Sequence, residues 1–213
     1  GVNYLDSANA YGPSQMNYGE AFRRMNLAPG APGYDAALRA RLFIATKTGR
    51  RYAADPEAKP GTTAIDDLKR SLTQMFGDGQ GNIPEGAYLD SIQIHNLTAM
   101  AQVDQIYEGY AERATRRPER IGAMAGLLDY RDGTNYTGLN PEHRRWIRHI
   151  GITGHQSSPV LMSAIRRDSE QAIDTLLLAL NPIDRACSSH QNNVLPLAVA
   201  RGIGVIAMKL FAD

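Results

Sequence analysis

Asp6 closes the apolar run VNYLD, Lys47 follows LFIAT, His95 closes LDSIQIH, Thr153 closes HIGIT and Asn181 follows DTLLLAL. Tyr11 stands five positions beyond Asp6, just before a Gly-Pro-Ser turn. A carboxylate, an ammonium, an imidazole and a phenol are groups that give, take or steer protons. Parallel α/β folds gather such groups at the C-terminal ends of their strands. Singly, each has a plain structural explanation: a strand-end lysine reaching solvent, or a histidine held by a backbone carbonyl. Their joint placement is what points to a site.

The elements that must position them follow a simple rhythm. Six short apolar runs, at 2–6, 42–46, 89–95, 149–153, 174–180 and 204–210, alternate with helical patterns, which predicts βαβ units and a parallel sheet. Residues 62–75 read as a helix with Thr62 or Thr63 as cap, Asp66 and Asp67 near its start, and Ile65, Leu68, Leu72 and Met75 on one face. Val103, Ile106, Tyr107 and Tyr110 form a second such face, and 158–166 and 194–201 read as shorter helices, the last stopped by Gly202. Gly, Pro and Asx residues mark 28–35, 77–86 and 129–142 as loops. The first two connect a helix to a strand, so a structural or interfacial role is expected of them.

With 213 residues, the chain is long enough for one sizeable core and at the lower end of the range for a single α/β barrel. The 23 basic and 22 acidic residues nearly cancel and are scattered, which argues against a nucleic-acid or anionic-membrane partner. RRPER at 116–120 and RRWIRH at 144–149 read as solvated helix faces or ends. A single cysteine, Cys187, excludes an intrachain disulfide and fits a reducing, cytoplasmic setting. No apolar run is long enough to span a bilayer, and the first residues read as a strand rather than a signal peptide. A missing upstream segment, with any export signal it carried, is therefore an open expectation.

The sequence resembles the aldo-keto reductase family. The second strand of that family runs into an aspartate followed by a tyrosine, as in YLDSANAYG; the third ends in a lysine, as in FIATKTG; the fourth ends in a histidine, as in YLDSIQIHN. IRHIGITGH matches the stretch around the fifth strand, and GIGVIAMK the seventh. Several separated motifs in the right order carry far more weight than one short pattern. The resemblance implies a (β/α)8 barrel and reduction of an aldehyde or ketone by NADPH. In it, Tyr11 would protonate the carbonyl oxygen. A phenol's ordinary pKa of about 10 suits this poorly near neutrality, and a neighbouring cation, here Lys47, would favour the charged form. Asp6 would hold Lys47, and His95 would orient the substrate oxygen. The cofactor would lie among Asp6, Thr153, His155, Asn181, Met208 and Lys209, with no metal.

Departures from the family pattern are equally specific. Thr153-Gly154-His155 replaces a common Ser-Asn, Asn181 replaces a glutamine, and Met208 replaces a ring-stacking tyrosine. The six runs match the second to seventh strands of eight, so the expectation is one incomplete barrel domain over 1–213, lacking its first strand and C-terminal portion. Self-association through unpaired edges would follow. Two other readings stay open: a non-catalytic barrel module for binding or assembly, and a metal-dependent hydrolase using His95, His155, His190 and Cys187. The substrate-facing loop at 50–61, with Arg50, Arg51 and Tyr52, reads as solvated charge.

Overall fold

The computed structural model describes residues 1–49, 60–78, 80–182 and 189–211. The cysteine and most of the 50–61 loop lie outside the described residues. Six parallel strands, β1 (Tyr4–Asp6), β2 (Phe43–Lys47), β3 (Leu89–Ile94), β4 (Ile147–Gly154), β5 (Ile173–Ala179) and β6 (Gly204–Met208), pair in chain order to form one curled sheet. All six strand expectations are met to within a few residues. The register sets Asp6 opposite Ala45 and Lys47 opposite Gln93, so the ends of the first three strands step round one rim.

Among the described residues, seven α-helices separate the strands: α1 (Ser14–Arg24), α2 (Ala36–Ala40), α3 (Pro60–Met75), α4 (Met100–Ile106), α5 (Ala123–Asp132), α6 (Ser158–Arg167) and α7 (Leu195–Ala200). A π-helical turn, His190–Val194, leads into α7. Helix α3 buries Ile65, Leu68, Leu72 and Met75, the face its periodicity predicts. Truncating such a fully buried leucine costs about 2–5 kcal/mol. Strand β3 is buried along its whole length, as a central parallel strand must be. Strand β6 is an edge: Val205 and Ala207 are exposed and Met208 is half-buried.

Two expectations need correction. Helix α3 begins at Pro60, so Thr62 and Thr63 lie inside it, and the Gly61 amide in its first turn donates to the Ile121 carbonyl at 2.8 Å. The 129–142 stretch begins within α5, whose residues 123–130 are all buried. A helix buried on every side has no polar face, so its sequence carries no 3.6-residue signal. Helices α1 and α2 also escaped sequence reading. Helix α1 packs so tightly on α3 that a Cβ at Gly19 would sit 2.2 Å from the Gln74 carbonyl oxygen. Among the described residues, no helix is long and apolar enough to cross a membrane.

Candidate active site at the strand-end rim

Lys47 is the last residue of β2 and is 1% exposed, an unusual burial for a lysine. Its ammonium pairs with Asp6 Oδ2 and donates to the Ser7 carbonyl at 2.9 Å. The partnership keeps the charge tolerable in the interior. Asp6 Oδ1 is buried without a hydrogen-bond partner. Burial raises the Asp6 pKa above the ordinary carboxylate value, and this outweighs the lowering by Lys47. Beneath it, Gln93 Nε2 donates to the Tyr4 hydroxyl at 3.2 Å, and burial together with the Asp6 charge pushes the Tyr4 phenol well above its usual range.

Tyr11 stands over this pair. Lys47 Nζ lies 4.7 Å from the centre of the Tyr11 ring, and the His95 ring meets Tyr11 edge-on at 5.8 Å. Tyr11 is 46% exposed, whereas His95 is half-buried just past β3. The four residues singled out from three strand ends therefore form one cluster, in which a buried ion pair supports an accessible phenol and imidazole.

The remaining residues line the rim beyond β4. Thr153 is fully buried, and its hydroxyl accepts from the Asn96 amide at 2.6 Å, tying β4 to the loop after β3. His155 is half-buried just beyond β4; burial first, and then the charges of Lys209, Lys47 and His190, hold its pKa below the ordinary imidazole value. Asn181 is half-buried after β5, its carbonyl accepting from Gln191 Nε2 at 2.8 Å. Met208 ends β6, and Lys209 follows it, exposed and in the left-handed region at φ 57°. His190, buried in the π-helical turn, is engaged with Ser158 Oγ at 2.9 Å and the His155 carbonyl at 3.3 Å. Among the described residues, no group of three or more His, Cys, Asp or Glu side chains could hold a metal ion.

Sequence reasoning missed a polar group behind the cluster, half-buried Asn9 with buried Gln15, Thr46, Asp67 and Ser71. Such residues are scattered over three elements and follow no period. A cavity of about 1050 Å³ opens elsewhere, at the N-terminal ends of β3 and β4, lined by Tyr88, Trp146, Arg131, Arg144 and Arg148 among others. It lies away from the Asp6–Lys47 cluster.

Fold and rim together define a parallel β/α barrel-type protein with its polar groups at the C-terminal strand ends. The aldo/keto reductase family model matches residues 1–213, and the chain belongs to that family. No curated protein matches the sequence. Among solved structures, the chain is similar to an aldo-keto reductase from Bacillus halodurans in its holo form, at 19% identity and a TM-score of 0.58, over 98% of this chain and 53% of that one. It is also similar to a Bombyx mori aldo-keto reductase in complex with NADP, at 18% identity and a TM-score of 0.55, over 97% of this chain and 52% of that one. A third, an aldo-keto reductase enzyme from a Medee basin deep-sea metagenome library, gives 13% identity and a TM-score of 0.55, over 98% of this chain and 55% of that one. The chain thus spans about half the length of the structures it matches, a likeness that establishes the fold.

Proposed function

We propose that the protein reduces an aldehyde or ketone to an alcohol with NADPH, Tyr11 supplying the proton. The observation that carries this reading is the buried Asp6–Lys47 pair set directly beneath the exposed Tyr11 ring, with His95 at its edge. When bound, the dihydronicotinamide supplies a hydride to the carbonyl carbon. The substrate oxygen then needs a proton, and the Tyr11 hydroxyl, open to the mouth, gives it. Lys47 places a fixed positive charge against the phenol as negative charge develops there. Asp6 holds that ammonium in place, and His95 orients the substrate oxygen from the side.

The donor set beyond β4 fits a polyanionic nicotinamide cofactor. Lys209 adds positive charge beside His155, a secondary cause, after burial, of that imidazole's lowered pKa. His155, Asn181, Met208 and Lys209 would hold the cofactor, Thr153 would act through the β4 end, and Asp6 would border the nicotinamide end. The partner is a small carbonyl compound, and residues 1–213 are read as one barrel-type domain.

Tyr11→Phe tests the assignment. Removing a general acid lowers kcat for carbonyl reduction by about 10²–10⁴-fold and leaves cofactor affinity little changed. A Phe variant with wild-type kcat sinks the proposal.

A further inference from the structure

We infer that Asn9 is a positioning residue that ties the loop bearing Tyr11 to helix α3 and to the Lys47 strand. Strand β1 ends at Asp6, so Tyr11 lies five residues out on a turn. Its ring touches Lys47 and His95 but is nearly half exposed, which leaves backbone anchoring to decide where the hydroxyl points. That anchoring runs through Asn9. Its amide nitrogen donates to the Lys47 carbonyl at 3.2 Å. Its side-chain Nδ2 approaches three acceptors, the Lys47 carbonyl at 3.3 Å, the Asp67 carbonyl at 3.1 Å and Ser71 Oγ at 2.8 Å.

Ser71 is the node of this network. Its hydroxyl accepts from Asn9 Nδ2 and from Gln15 Nε2 at 2.9 Å while donating to the Asp67 carbonyl at 2.8 Å, so its one proton and both lone pairs are used. Gln15 Nε2 also donates to Thr46 Oγ1 at 2.6 Å, next to Lys47 in β2. Gln15, Thr46 and Ser71 are each no more than 1% exposed, so water does not substitute for a lost member. Asp67 completes the tie, its carboxylate accepting from the Gly49 amide at 2.7 Å just beyond β2. Tyr11 and Lys47, distant in sequence, are thereby referenced to one turn of α3. An asparagine suits this post because its Nδ2 carries two donors on a short, stiff stem.

In its consequence for catalysis, the inference rests on the reading of Tyr11 as proton donor, and the experiment separates the two. Amide hydrogen exchange is measured on the full chain and on Asn9→Ala, with Ser71→Ala as a second variant should the first fail to fold. The tether predicts exchange at positions 9 and 11 faster by about tenfold or more, with the α3 amides of Leu68 and Leu72 unchanged. On the same folded samples, kcat with NADPH and an aromatic aldehyde falls about 10–100-fold while KM for NADPH stays within about twofold, the split expected of a misplaced acid. Unchanged exchange in both variants overturns the tether. Faster exchange with unchanged kcat, in a protein that Tyr11→Phe inactivates, overturns the positioning role. If the wild type reduces no carbonyl compound, the reductase reading falls, and the exchange arm alone decides whether Asn9 holds the loop.

Discussion

Among the described residues, the Arg39–Asp90 and Asp6–Lys47 ion pairs are built to opposite specifications, one buried on both sides and the other on the lysine side alone. Arg39 and Asp90, with side chains 1% and 6% exposed, pair at 2.8 Å. Arg39 also donates to the Leu42 and Tyr88 carbonyls, both at 3.0 Å, and its guanidinium lies 3.9 Å from the Tyr88 ring centre. Asp90 Oδ2 accepts from the Ile44 amide at 2.9 Å, and Oδ1 from Arg148 at 3.3 Å, while Arg148 covers Tyr88 at 3.9 Å. Both carboxylate oxygens are satisfied, and the pair clamps the chain around β2 and β3. In the Asp6–Lys47 pair the lysine is 2% exposed and the aspartate 26%, and Asp6 Oδ1 is unpartnered. A saturated buried pair locks strands together. The second pair, its aspartate partly open to the rim, lies beside the exposed Tyr11 phenol and the half-buried His95 imidazole.

That contrast breaks most visibly at Lys47. Lys47→Met leaves the phenol without its cation and Asp6 buried and unpaired, so carbonyl reduction should fall by about 10²-fold or more in steady-state assays. Wild-type turnover in this variant would make the two pairs equivalent structural devices. Next comes Asp90→Ala, which strands Arg39 in the core: urea unfolding should show a loss of about 3–5 kcal/mol, with kcat per folded molecule unchanged.

Asp6→Asn sharpens the comparison. The amide oxygen stays available to the lysine, so the stability loss should be well below that of Asp90→Ala, while turnover drops. The pH dependence has a definite sign. Because the native Asp6 pKa is raised, the folded chain holds this proton more firmly than the unfolded one. Its contribution to stability therefore falls as pH rises through the window between the ordinary carboxylate pKa and the raised one, and Asp6→Asn should flatten that slope in urea melts. A slope that survives the substitution assigns it elsewhere.

The smallest effect belongs to His155. Its lowered pKa keeps the imidazole neutral further into the acid range than an exposed histidine, and Lys209→Met should move the NMR titration midpoint upward, toward the ordinary value. The midpoint stays somewhat low even then, because burial is the larger cause. No movement would place Lys209 too far away to shape the rim.

Much of this was legible in the chain itself. Apolar runs of strand length mark all six strands, and Ile65, Leu68, Leu72 and Met75 declare the buried face of α3 through spacing alone. Asp6, Lys47 and His95 follow from standing where those runs stop. Tyr11 adds its fixed offset from Asp6. These are local signals, set by the two-residue period of a strand, the 3.6-residue turn of a helix and the chemistry of a side chain. Non-local distance decided the rest. Helix α5 is hidden from periodicity because neighbours cover every side of it, and the contact of Gly61 in α3 with Ile121 joins positions sixty residues apart. Whether Asp6 reaches Lys47, which oxygen is left unpartnered, and that Asn9 and Ser71 hold the Tyr11 loop are matters of distance between elements dozens of residues apart. Burial and hydrogen-bond saturation arise only when the strands curl together. The residue types therefore announce a cluster suited to proton transfer, and the packed barrel wall determines which of them are buried, which stay exposed and what holds them still.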